Sequence, residues 1–184
     1  MSEKHKRNIT EELNEQQLNR ALSTVKSIFE TLAPKQQHIM AEWLATWLNY
    51  IKFEKNFLPQ RLKYYKRGDV ILVHFGYNTG SELGGKHYAV VVEKNNNKSN
   101  NTIIVVPISS LDEGKTEADL YKSDVYLDVI IPSSDKRCFA KVSQIRAISK
   151  LRIITPKTKD ESYSRIPKEK MQEIDNKIIE LITK

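Results

Sequence analysis

The stretch "GSELGGKHYAVVV", residues 80–92, comes within one residue of a phosphate-cradling P-loop. Gly80 is followed by four residues, then Gly85 and Lys86, but His87 stands where that motif needs a Ser or Thr to hold Mg²⁺. What comes next decides the fold. A P-loop passes its backbone N–H groups to the first turn of a helix, whereas "YAVVVEK" has the β-branched and aromatic content of a strand, so no helix N-terminus stands behind a phosphate. The segment Gly76 to Lys86 is therefore expected to be a long loop between two strands. Its four glycines, Gly76, Gly80, Gly84 and Gly85, and its excess length over a tight hairpin suit a binding loop.

Working outward, five runs share the strand pattern: 70–75 (VILVHF), 87–94 (HYAVVVEK), 102–109 (TIIVVPIS), 125–131 (VYLDVII) and 138–145 (CFAKVSQI). The gaps between the first three and the fourth leave no room for a crossover helix, which predicts an antiparallel, strongly curved sheet or small barrel. A last helix is expected from Pro167, with Met171, Ile174, Ile178 and Leu181 on one side to cover the sheet. Ahead of the strands the period is helical. Leu18, Leu22, Val25, Phe29 and Leu32 form one face, with Asn8 or Thr10 as cap, and Ala33–Pro34 interrupt it. Ile39, Met40, Trp43, Leu44, Trp47, Leu48 and Ile51 form a second face ending before Pro59. The expected organisation is a helical hairpin over residues 1–60 and a β-rich domain over 61–184. The Trp43–Trp47 stripe fits core or interface better than base stacking.

The 184 residues carry 30 Lys and Arg against 23 Asp and Glu, a net charge of +7. Most of that excess follows Leu62, so an anionic partner is expected on the β-rich part. The single Cys138 excludes an internal disulfide framework and sits in a strand, where an inert buried thiol is expected. One Cys and four dispersed His offer no metal-ligand spacing, so no metal is expected. The N-terminus lacks the apolar core of a signal peptide, and no apolar run is long enough to span a membrane. A soluble, cytoplasmic protein is expected.

Three separated segments carry a resemblance: "YKRGDVILVHFGYNTGSELGGKHYAVVV" (65–92), "NTIIVVPISS" (101–110) and "FAKVSQIRAIS" (139–149). In order and separation they resemble the MazF/PemK (Kid-like) family of toxin–antitoxin endoribonucleases, from about Lys63 to the C-terminus. The resemblance implies an SH3-like small antiparallel β-barrel with a C-terminal helix, forming a homodimer, with a cognate antitoxin protein as partner. It further implies sequence-specific, metal- and cofactor-independent cleavage of single-stranded RNA, leaving a 2′,3′-cyclic phosphate and a 5′-hydroxyl. In such a reaction the ribose 2′-OH attacks phosphorus, and the protein must take one proton, supply another and stabilise phosphoryl charge.

Carried over by position, the family's catalytic Arg falls on His87, the following Pro on Tyr88, and the Thr closing "PIT" on Ser109. Histidine is shorter than Arg and mostly neutral at pH 7, so it suits proton transfer better than a permanent phosphate clamp. Lys86 or Lys141 could replace the lost charge. The resemblance places Ser81, Glu82, Gly84, Gly85 and Lys86 in the substrate loop, and Gln144 and Arg146 beside the groove. His74 replaces a typical Asp and is expected to be a half-exposed strand residue; His5 and His38 have no partners in view. A second reading is a noncatalytic member that binds nucleic acid or inhibits gyrase. Retention of proton-handling or charged groups at His87, Ser109 and Lys141 favours the enzyme. The helical segment lies outside the family pattern and could hold an antitoxin, enlarge a dimer interface or gate an RNA groove.

Overall fold

A computed structural model describes residues 3–127 and 136–183, with side chains from residue 14 onward; residues 128–131 of the fourth expected strand lie outside the described residues. The chain forms two units, Met1–Thr46 and Trp47–Lys184. Helix α1, Glu3–Thr31, ends just before Pro34, which opens α2, Pro34–Glu54. Proline suits a first helical position because its missing N–H would have no partner there. The Gln37 side chain donates to the Phe29 and Leu32 carbonyls at 3.1 and 3.0 Å, satisfying end groups that α1 cannot pair itself. Neither apolar stripe is buried: Val25, Phe29 and Leu32 are half-buried, α2 has no buried residue, and Leu22 and Ile39 are exposed.

The second unit holds a seven-stranded antiparallel sheet: β1 Val70–His74, β2 Lys86–Val91, β3 Thr102–Ser110, β4 Asp124–Leu127, β5 Cys138–Lys141, β6 Arg146–Ser149 and β7 Ile153–Thr155. The order is β4-β5-β3-β2-β1-β7, with β6 also on β3. Val105 pairs with Val91 of β2 on one edge and Arg146 of β6 on the other. Since β5 and β2 flank β3, β5 and β6 follow each other along the same edge, separated by the 3-10 turn Val142–Gln144. The sheet is strongly curved but, among the described residues, its path does not close into a complete barrel. β6 and β7 were not expected from the sequence. The strand expected over 138–145 ends at Lys141, residues 142–144 form a 3-10 turn and β6 starts after them, while the three residues of β7 are too few to show a period.

Curvature lets the sheet bury both faces. One carries Val90, Val106, Ile108, Leu127 and Ala140 with Met171 and Ile174 of α3, Lys168–Thr183. The other carries Ile71, Val73, Phe75, Ala89, Val91, Ile103 and Val105. This is why β1 to β3 read as near-continuous apolar runs. The entry to β1 is held by a buried ion pair, Lys63 to Asp69 at 3.2 Å, with Arg165 on the other Asp69 oxygen at 2.6 Å. That cluster ties the strand to the segment leading into α3. No described helix is long and apolar enough to cross a membrane.

Candidate functional site

Between β1 and β2 the loop is pinched at its base, where the Phe75 N–H donates to Gly85 O and the Gly85 N–H to Gly76 O, each at 2.7 Å. Gly84 lies so close to this neck that a Cβ on it would sit 2.7 Å from the Gly76 oxygen, so no side chain fits without movement. Gly85 has φ +78, a conformation that only glycine adopts readily. Within the loop, the Asn78 amide donates to Leu83 O at 2.7 Å and Phe75 O at 3.3 Å. Ser81 and Glu82 form its exposed tip. The next residues are strand rather than helix, so the P-loop reading is excluded by the backbone as well as by His87.

Gln144 and Arg146 serve this loop directly. Gln144 Oε1 accepts from the Leu83 N–H at 3.2 Å and from Arg146 Nη2 at 2.9 Å, while Arg146 also donates to Leu83 O at 3.3 Å. The Arg146 guanidinium lies 5.0 Å from the Phe75 ring centre, and Arg152 donates to Phe75 O at 3.0 Å. Burial lowers the Arg146 pKa, which Glu82 opposes and Arg152 reinforces. Arg152 and Asn78 had no signal in the sequence. Their partners are backbone carbonyls that only the folded loop presents.

Strand alternation sorts the remaining candidates. His87 follows the parity of Ala89 and Val91, Ser109 that of Val105 and Ile103, and both therefore share the Phe75-containing face. Lys141 lies opposite in parity to Cys138 and Ala140, which belong to the other core, and joins the same side. The last paired residues of β2 and β3 are Ala89 and Pro107. Continued two residues further, that register brings His87 level with Ser109. Lys141 comes from β5 on the opposite side of β3. The apolar face thus runs out into a polar mouth containing His87, Ser109 and Lys141.

Burial pushes the His87 pKa down; hydrogen bonding with the Ile108 and Gly84 backbone pulls it back, and the Lys141 ammonium lowers it further. A lowered pKa favours the neutral ring at pH 7. Lys86 is exposed and follows the other parity, opposite His74, so it does not share the His87 face. It lies instead with Arg152 near the Tyr50 phenol, whose pKa burial raises against the pull of both cations. His74 is 5% exposed, not half-exposed, because β1 is covered on both faces; its Nδ1 accepts the Gly76 N–H at 3.2 Å. Cys138 is buried and its thiol is pushed up to about 11, in keeping with an inert side chain.

A cleft of about 330 Å³ opens from Ser109 and Lys141 towards Phe139, Tyr121 and Asp124. Both Asp124 carboxylate oxygens are buried without a well-formed hydrogen bond. Burial raises the Asp124 pKa against the pull of the Tyr121 backbone and Lys141. Among the described residues no group of three or more His, Cys, Asp or Glu could hold a metal.

Residues 66–182 match the model of the PemK-like, MazF-like toxins of type II toxin–antitoxin systems. The chain belongs to this family. The match starts after the helical segment and contains the loop, the His87–Ser109–Lys141 mouth and α3. Similar solved structures include MazF (Form-I) from Deinococcus radiodurans, at 18% identity and TM-score 0.48, covering 66% of this chain and 100% of that one. The MazE–MazF (Form-II) structure from the same organism shows 17% identity and TM-score 0.43 over 66% of this chain and 98% of that one. An endoribonuclease in complex with its cognate antitoxin, from a mycobacterial species, shows 14% identity and TM-score 0.41 over 63% and 90%. No curated protein matches the chain.

Proposed function

We propose that this toxin-family protein is a metal-independent endoribonuclease that cleaves single-stranded RNA at a short sequence. The observation that carries the reading is the convergence of His87, Ser109 and Lys141 on one face, at the mouth left where β2 parts from β3. Neutral His87 accepts the proton of the ribose 2′-OH as that oxygen attacks phosphorus. Lys141 and the Ser109 hydroxyl face the charge that develops on the phosphoryl oxygens. The bond from phosphorus to the 5′-oxygen breaks, and the departing oxygen, far more basic than an ammonium, takes a proton that Lys141 is placed to supply. The products are a 2′,3′-cyclic phosphate and a 5′-hydroxyl. The nucleophile belongs to the substrate, so the scheme calls for no bound metal.

Gln144 and Arg146 act by holding the glycine loop, with Ser81, Glu82, Gly84 and Gly85 bordering the RNA path and Lys86 on the other side of β2. A homodimer and a neutralising antitoxin partner follow from the same reading, with the cytoplasm, where RNA is available, as the site of action. The test is incubation with a mixed RNA pool in EDTA, followed by sequencing of the new ends. Discrete sites with 5′-hydroxyl ends are expected. Activity that vanishes in EDTA and returns with Mg²⁺, or an intact pool, overturns the proposal.

A further inference from the structure

Beyond the reactive mouth, the half-exposed side of β4 and β5 has a composition that the cleavage chemistry does not use. β5 alternates: Cys138 and Ala140 are buried, Phe139 and Lys141 half-exposed. Arg137, just before the strand, is exposed and continues the same pattern. The Leu111 N–H donates to Arg137 O at 2.8 Å, extending by one pair the register Ser110↔Cys138 and Ser109↔Phe139. Arg137, Phe139 and Lys141 therefore form a cation–aromatic–cation row on one face, about 13 Å long at roughly 3.3 Å per residue. Tyr126 pairs directly across from Phe139 and is also half-exposed, which widens the aromatic centre of the row.

Two adjoining clefts follow this row. The first, described above, places Phe139 and the exposed Tyr121 beside Ser109 and Lys141. The second, about 430 Å³, contains Lys136 and Arg137 with Glu113, and shares Leu111 and the ion pair Lys115–Asp112, 3.0 Å, with the first. The path thus leads from Lys141, past aromatic faces, to Lys136 and Arg137, with Asp112, Glu113, Asp119 and Asp124 also lining the clefts. Full positive charges spaced by aromatic rings match a single-stranded nucleic acid, which alternates phosphates with stackable bases. A protein segment would have to bring acidic groups at the same intervals.

We propose that the Arg137–Phe139–Lys141 row is the track for the RNA beside the cleavage point, with a base stacked on Phe139 and a neighbouring phosphate held by Arg137. The track rests on RNA being the ligand of the reactive mouth, but it makes separate predictions about binding. Phe139 and Arg137 are binding residues, and their effects have different signatures. Phe139 contributes a π-face without charge, whereas Arg137 contributes one neutralised phosphate.

The experiment measures equilibrium binding of the full chain to a mixed-sequence 2′-O-methyl RNA oligonucleotide, whose capped 2′-oxygen cannot attack, across a series of salt concentrations. Phe139→Ala is expected to weaken binding about 5- to 150-fold, the range for loss of one stacked base, without changing the salt slope. Arg137→Ala is expected to reduce the magnitude of the log–log salt slope by about 0.7, one phosphate contact. Phe139→Leu keeps apolar bulk and the fold but lacks the π-face, so it must also weaken binding. Parental affinity and slope in all three variants overturn the track, and assign the row to a protein-facing surface, even if the parent cleaves RNA. A parent that binds the oligonucleotide with these variant effects, yet leaves ordinary RNA intact, upholds the track and sinks the endonuclease reading.

Discussion

His87 occupies the position where the family's motif carries Arg, and its surroundings favour the neutral ring, because burial and the Lys141 ammonium both disfavour a second positive charge. His87→Ala is expected to lower the cleavage rate by about 10² to 10⁴ while RNA affinity changes little. The pH–rate profile of the parent should show its acidic inflection below the ordinary histidine value of 6.5. His87→Arg should abolish that inflection, which a pH series on both proteins measures directly. The same depressed pKa makes protonation unfavourable in the folded state. Any stability contribution is therefore full above pH 6.5 and lost as pH falls from there through the folded-state value. Asp124 works in the opposite sense. Its pKa is raised, so its contribution to stability is full below 3.8 and lost as pH rises through the folded value. Asp124→Asn should raise the thermal midpoint at pH 7, by about 2–4 °C per kcal/mol relieved, and the gain should disappear near pH 4. Nothing in the sequence marked Asp124. Its burial arises only once β4 and β5 pair, whereas the family resemblance pointed straight to His87.

Among the elements, the glycine loop is defined by backbone contacts that its sequence announced only in part. The four glycines suited a binding loop; Gly85 adopts a left-handed conformation, and Gly84 is required for a different reason: the Gly76 oxygen occupies the space its side chain would need. Gly84→Ala should cost about 1–3 kcal/mol in chemical denaturation, because the neck must open to admit a methyl group. Gln144→Ala removes the acceptor of the Leu83 N–H and is expected to cost about 1 kcal/mol. If the loop borders RNA, it should also raise KM more than it lowers kcat, which steady-state cleavage resolves. Strands β1 to β3 were legible because both of their faces are buried and the residues are Val- and Ile-rich. α3 was legible from Pro167 and its apolar spacing. β6 was not, since a 3-10 turn rather than a glycine or proline separates it from β5, and "VSQIRAIS" has no punctuation to mark that break.

For the molecule as a whole, buried Lys63 and Asp69, with exposed Arg165, join the first strand to the segment before the last helix, elements nearly a hundred residues apart. Asp69→Ala leaves the Lys63 ammonium buried without its carboxylate and should destabilise the β-rich unit by about 3–5 kcal/mol, read from denaturant unfolding. No sequence pattern revealed this cluster, because each partner alone resembles an ordinary surface charge. The parting of β2 from β3 beyond Ala89 has a further consequence. His87 and Lys141 hang from opposite banks of one strand, and past Ala89↔Pro107 β2 and β3 form no further residue pair among the described residues. The distance between the two side chains is therefore set in part by the clasp at Phe75, Gly76 and Gly85, so slackening that clasp is expected to shift one against the other without altering either.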